Sequence, residues 1–247
     1  MRSQSEKQIA ISSLQQQIYQ WEGYKQSETP VIQLGLGEIE SVFPEGTFPV
    51  GAIHEFIYNQ MEELAASSGF IGALLSFILK EQGMCLWISP EKQLYAPAIK
   101  TFGLNPDRIV FVHMHREKDI LWALEEGLKC SGLLAVVAEI RDLNFVQSRR
   151  LQLAVEKSGV TGFVLHPHKR TLGSTTCIAR WNIKPIPSLI IDKLPGIGFP
   201  QWKVDLLKVK NADPSQWIIS WQHGKFYGRI IKEYFPKPNE LVRQQIG

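Results

Sequence analysis

Between residues 51 and 167 the sequence alternates short apolar runs with segments whose apolar residues recur every three or four positions, and few architectures admit that alternation. GAIHEFIY reads as a strand and GFIGALLSFILKEQG as a buried helix closed by Gly83; MCLWIS reads as a strand and KQLYAPAIKTFGL as a helix with Pro97 near its start. DRIVFVHM and REKDILWALEEGLKC, then GLLAVVAEI and SRRLQLAVEKSG, then VTGFVLHP, continue the series. Strands joined through helices run in the same direction, so the expected fold class is α/β: a mostly parallel sheet covered by helices on both faces.

After residue 174 the helices drop out. TTCIARWNIKP, QWKVDLLKVK and QWIISWQHG are separated by Pro or Asp-Pro turns too short for a helix, so antiparallel strands extend the sheet at its C-terminal end. Ahead of the main domain, Ile11, Leu14, Ile18 and Trp21 recur at helical spacing among glutamines and serines, a docking helix followed by the polar joint GYKQSETP. The expected organisation is an N-terminal helix and linker over residues 1–30, a main domain over 31–229, and a tail over 230–247 interrupted by Pro236 and Pro238.

A net charge of +3 over 247 residues permits nucleic-acid contact without arguing for it. Cys85, Cys130 and Cys177 lie far apart in apolar stretches, which reads as reduced and buried thiols. The N-terminal residues lack the apolar core of a signal peptide, and no run reaches the ~20 apolar residues of a membrane span. A cytoplasmic protein without membrane partners is expected.

GLGEIESVFPEGTFPVGAIHEF resembles the entrance to the RecA fold, ISPEKQLYAPAIKTFGLNPDRIVFV its second strand and following helix, and AVVAEI its Walker B strand. More specifically, GAIHEF, LWALEEGLKC, SRRLQLAVEKSGVTG and GFPQWKVDLLKVKN are similar to ImuA proteins, the RecA-like accessory factors of bacterial mutasomes. The resemblance covers residues 35 to about 222. It implies an accessory role in error-prone, SOS-type DNA repair by translesion synthesis. The implied partners are an ImuB-like Y-family polymerase homologue and a DnaE-type polymerase, with RecA and DNA as further ones.

An ATP-using RecA relative carries G-x-x-x-x-G-K-S/T between its first strand and helix, where backbone amides cradle phosphate, lysine neutralises it and the hydroxyl holds magnesium. In YNQMEELAASSGFIGAL, Gly69 matches the last glycine, but Phe70 and Ile71 stand in place of lysine and the hydroxyl residue, and Glu62 and Glu63 add repulsion. The resemblance matches Glu91 to the RecA residue that activates water and places Glu139 at the end of the Walker B-like strand. With no held phosphate, neither has a substrate. No catalytic residue, cofactor or metal is expected.

The basic residues Arg141, Arg149 and Arg150 follow AVVAEI, and His168, Lys169 and Arg170 follow GFVLHP, where RecA carries its DNA-binding loops. They are candidate phosphate contacts, or else a solvated helix start and a surface turn. His113 with His115 and His166 with His168 could each face one way as a metal pair, but strand-end polar residues are the simpler reading. Trp181, Trp202, Trp217 and Trp221 read as core before they read as a base-stacking platform. Leu14 and Ile18 in the N-terminal helix, and Tyr234 and Phe235 in the tail, are the candidate partner anchors. A second reading is a division inhibitor of the SulA type, RecA-related and binding FtsZ.

Overall fold

The computed structural model describes residues 33–43, 46–80, 83–91, 94, 96–169, 173–190, 197–209 and 212–230. The chain divides into two compact units, 1–31 and 32–247, and every described residue belongs to the second. Leu14, Ile18, Arg170, Tyr234 and Phe235 lie outside the described residues.

After a four-residue helix α1 (Glu38–Ser41), the chain runs β1 (Ile53–Tyr58), α2 (Met61–Leu79), β2 (Cys85–Ser89), β3 (Ile109–His113), α3 (Glu117–Lys129), β4 (Ala135–Glu139), α4 (Phe145–Ser158) and β5 (Thr161–Pro167). Four strands then follow without a described helix between them: β6 (Ala179–Leu189), β7 (Phe199–Val209), β8 (Ser215–Gln222) and β9 (Lys225–Ile230). All nine make one sheet in the order β3-β2-β4-β5-β1-β6-β7-β8-β9. Pairing is parallel from β3 through β6 and antiparallel from β6 to β9. The α/β class with an antiparallel C-terminal extension is the one the alternation of the sequence demands.

Period-2 alternation sends the side chains of each strand to two cores. On one face Ile53, Val136, Ala138 and Val164 meet Leu124, Leu128, Leu151 and Val155 from α3 and α4. On the other, Phe56 and Trp202 pack against Phe70 of α2, which also meets Phe226 from β9. Trp181, Trp202, Trp217 and Trp221 are all buried, so the late tryptophans are core. Gly162 of β5 allows α3 to close on the sheet: a Cβ there would lie 2.5 Å from Ile53 Cδ1 and 3.1 Å from Leu128 Cδ2.

Four local expectations are corrected. KQLYAPAIKTFGL forms a 3-10 segment, Ala96–Phe102, instead of an α-helix. Gly103 at φ 78° ends the segment after two short turns, and a Thr101 hydroxyl bonded to Ala98 O at 2.6 Å competes with regular i to i+4 bonding. Helix α4 starts at Phe145, three residues before Ser148, because Asn144 and Gln147 form a reciprocal capping box. Cys130 is exposed, since it lies beyond the last inward position of α3, Leu128. Finally α2, 19 residues long with mean hydropathy 1.4, has the length and composition of a membrane span, although 61% of that window is buried within the fold.

Phe70 has no exposed surface and three aromatic neighbours. Phe70→Ala is expected to lower the unfolding free energy by about 3–5 kcal/mol, read from urea denaturation. A loss below ~1 kcal/mol would mean that α2 does not hold its place through this cluster.

Candidate functional site

In a parallel sheet the crevice beyond the carboxyl ends of the strands is where ligands collect. Here the first such connection is minimal: β1 ends at Tyr58 and α2 begins at Met61, leaving Asn59 and Gln60 between them. The helix therefore begins nine residues earlier than a phosphate loop ending at Gly69, Phe70 and Ile71 would allow. Those three residues sit mid-helix, and the glycine has a packing role: a Cβ on Gly69 would lie 3.1 Å from Phe102 Cζ and 3.6 Å from Trp202 Cζ2. This corrects the sequence alignment of the loop. An apolar GFIGAL stretch looks like the start of a helix, but MEELAASS ahead of it already forms the first turns of the same helix, exposing Met61, Glu62 and Ala65 and burying Leu64, Ala66 and Ser67.

The turn itself is held by a carboxylate. Glu63 Oε2 accepts from the Asn59 backbone N–H at 2.7 Å, from Asn59 Nδ2 at 3.0 Å and from Asn182 Nδ2 at 3.0 Å. Asn182, on β6, also donates to Ile57 O at 2.9 Å. Partial burial pushes the Glu63 pKa up, but the Asn59 and Asn182 donors, with Lys184 nearby, outweigh it and hold the carboxyl below the usual range. Three donors at this turn thus already serve an internal anion.

Further along the same edge, Tyr58 Oη donates to Glu139 Oε1 at 3.2 Å. Burial, with the Glu91 charge adding to it, raises the Glu139 pKa despite the tyrosine bond. The structure thus brings Glu91 and Glu139 into electrostatic contact, at an edge already lined by Glu62 and Glu63. No three His, Cys, Asp or Glu side chains among the described residues form a metal-binding group.

A second polar cluster lies inside the fold, and the sequence reading missed it. Glu55, in the middle of buried β1, receives His166 Nε2 at 2.8 Å on Oε1, and Thr175 Oγ1 and Arg180 Nε, each at 2.8 Å, on Oε2. Burial alone would raise the Glu55 pKa; the bonds from His166, Arg180 and Thr175 reverse that and lower it. Nearby Cys177 is pushed up to about 12, chiefly by burial and then by the Glu55 charge. Behind this network, on the other face of β1, His54 is fully buried: its ring lies 2.7 Å from Pro49 O through Nε2 and 3.3 Å from Trp181 Nε1 through Nδ1. That pairing fixes the neutral Nε2–H tautomer, and burial drops the pKa to about 4. The missed signal was a lone acid in IHEFIY and a lone base in CIARWNI, opposite charges in two runs that otherwise read as central strands.

The histidine pairs divide. His166 belongs to the Glu55 network, whereas His168 lies past the strand end and donates its backbone N–H to Tyr58 O at 2.7 Å. His113 and His115 both line an open cavity of about 430 Å³ with Met114, Arg116, Asp119 and Trp122. Of the candidate phosphate contacts, Arg150 pairs with Glu125, Lys169 with Asp142 at 2.8 Å, and Arg149 more loosely with Glu156 at 4.0 Å. Arg141 is exposed, and its backbone N–H donates to Glu117 Oε1 at 2.8 Å.

The sheet order, its parallel core and the short β1–α2 junction define a class: a RecA-like domain whose first strand-to-helix turn is closed by its own carboxylate. The crystal structure of the RadB recombinase agrees on the fold, with a TM-score of 0.55 over 79% of this chain and 98% of that one at 14% identity. No family model matches the chain. Protein ImuA of Caulobacter vibrioides is 31% identical over 220 residues, 83% of this chain and 90% of the relative, and the chain belongs to the ImuA family. The cell division inhibitor SulA of Yersinia pestis is 26% identical over 128 residues, 51% of this chain and 75% of that protein.

Two outcomes test the buried network. Arg180→Met takes the guanidinium from a buried carboxylate that keeps the His166 and Thr175 bonds, and is expected to cost about 3–5 kcal/mol, while the double change Glu55→Gln with Arg180→Met costs less than Arg180→Met alone. Strict additivity of the two in chemical denaturation would sink the account. The pH dependence separates His54 from Glu55. Below pH 6.5 the unfolded chain protonates at His54 while the folded one resists to about pH 4, so stability falls as pH drops through that window. The full effect is on the order of 3 kcal/mol. Glu55, with its lowered pKa, adds loss only below the ordinary carboxylate value of 4.5. Between pH 6.5 and 5 the denaturation midpoint should therefore fall in the wild type and stay level in His54→Gln.

Proposed function

We propose that this chain is a non-enzymatic accessory protein of the bacterial DNA damage response, a RecA-like body that works by binding partners without nucleotide control. The observation that carries the reading is the β1–α2 junction, in which Glu63 already takes the Asn59 N–H donors. A triphosphate arriving there would meet Glu62 and Glu63 instead of a lysine, and like charge repels it. Glu91 and Glu139 could serve as bases only if a phosphate were held in line, because phosphoryl transfer depends on positioning and electrostatics. Membership of the ImuA family supports the damage-response setting. The partners are an ImuB-like Y-family polymerase homologue and a DnaE-type polymerase in a translesion mutasome, with RecA as a secondary partner and DNA contacted through Arg141, Arg149, Arg150, Lys169 and Arg170. Leu14, Ile18, Tyr234 and Phe235 are further apolar anchors.

Mixing the full chain with the ImuB-like homologue of its own organism, with and without ATP, tests both halves. A complex by size-exclusion chromatography that ATP leaves unchanged, together with no ATP binding in equilibrium dialysis, is the expected result. Installing the lost side chains as Phe70→Lys with Ile71→Thr should not create ATP binding, since both positions face the core, and should instead destabilise the fold. Micromolar ATP affinity that Glu91→Gln alters would overturn the reading. Similarity to SulA favours a second reading, division inhibition through FtsZ, and co-elution with FtsZ but not the polymerase homologue would select it.

A further inference from the structure

No further inference is drawn: the strongest candidate, the open cavity at the carboxyl end of β3 lined by His113, His115, Arg116, Asp119 and Trp122, joins an exposed indole to a guanidinium that Asp119 already holds, and nothing in the structure shows what covers it.

Discussion

A carboxylate at the centre of a nine-stranded sheet is the constraint on which the rest of this fold depends. Ionised Glu55 has no access to water, and taking such a charge out of solvent costs several kcal/mol unless donors replace the hydration shell. Those donors come from three different places: His166 on β5, Arg180 on β6, and Thr175 in the segment entering β6. All three reach Glu55 only if β5, β1 and β6 stand in the observed register. A slip of one residue would turn Glu55 into the aromatic core beside Phe56 and Phe163, where it has no partner. The network therefore specifies alignment more than it adds net stability.

The same strand that supplies Arg180 also holds the β1–α2 turn. Arg180 and Asn182 are two apart on β6 and share a face, so the register that brings one to Glu55 brings the other to Ile57 O and to Glu63. In a nucleotide-binding relative a glycine-rich loop separates the first strand from its helix. In this chain Asn59 and Gln60 suffice, because Asn182 and Glu63 hold the turn from either side. The antiparallel half of the sheet and the tight β1–α2 turn are thus both held through β6.

How much of this was legible in the sequence follows from what kind of signal each element leaves. Strands buried on both faces and helices with one apolar stripe leave periodic traces, so β1 to β8 and α3 could be read to within a few residues. The start of α4 was hidden by Asn144, whose capping-box partner Gln147 identifies it only when the spacing is sought. Gly69 misled because a glycine before an apolar run fits a loop end as well as a close helix contact; only the Phe102 and Trp202 rings behind it decide. The Glu55 network was illegible for a different reason. Its donors lie 111 to 125 residues from Glu55, and nothing local in IHEFIY tells a buried, paired acid from an edge-strand charge. The candidate DNA contacts could be named but not ranked, since the acids that pair with them, Glu125, Asp142 and Glu156, lie on other turns and elements.

Those pairings also bear on how the protein's surface can work. An exposed ion pair is worth about 0–1 kcal/mol, so a phosphate or carboxylate ligand can displace Glu156 from Arg149 or Asp142 from Lys169 at small cost, but it gains little beyond what it replaces. Charge on this surface can therefore orient a partner and set its approach without supplying most of the affinity. The affinity must come from apolar area. Each square ångström removed from water contributes about 25 cal/mol before the costs of association, and a side chain such as Trp122 or Val146 is still largely in water in the isolated chain. A RecA-like body whose β1–α2 turn is held by Glu63 retains, on the outer faces of α3 and α4, apolar surface that its own folding leaves unused.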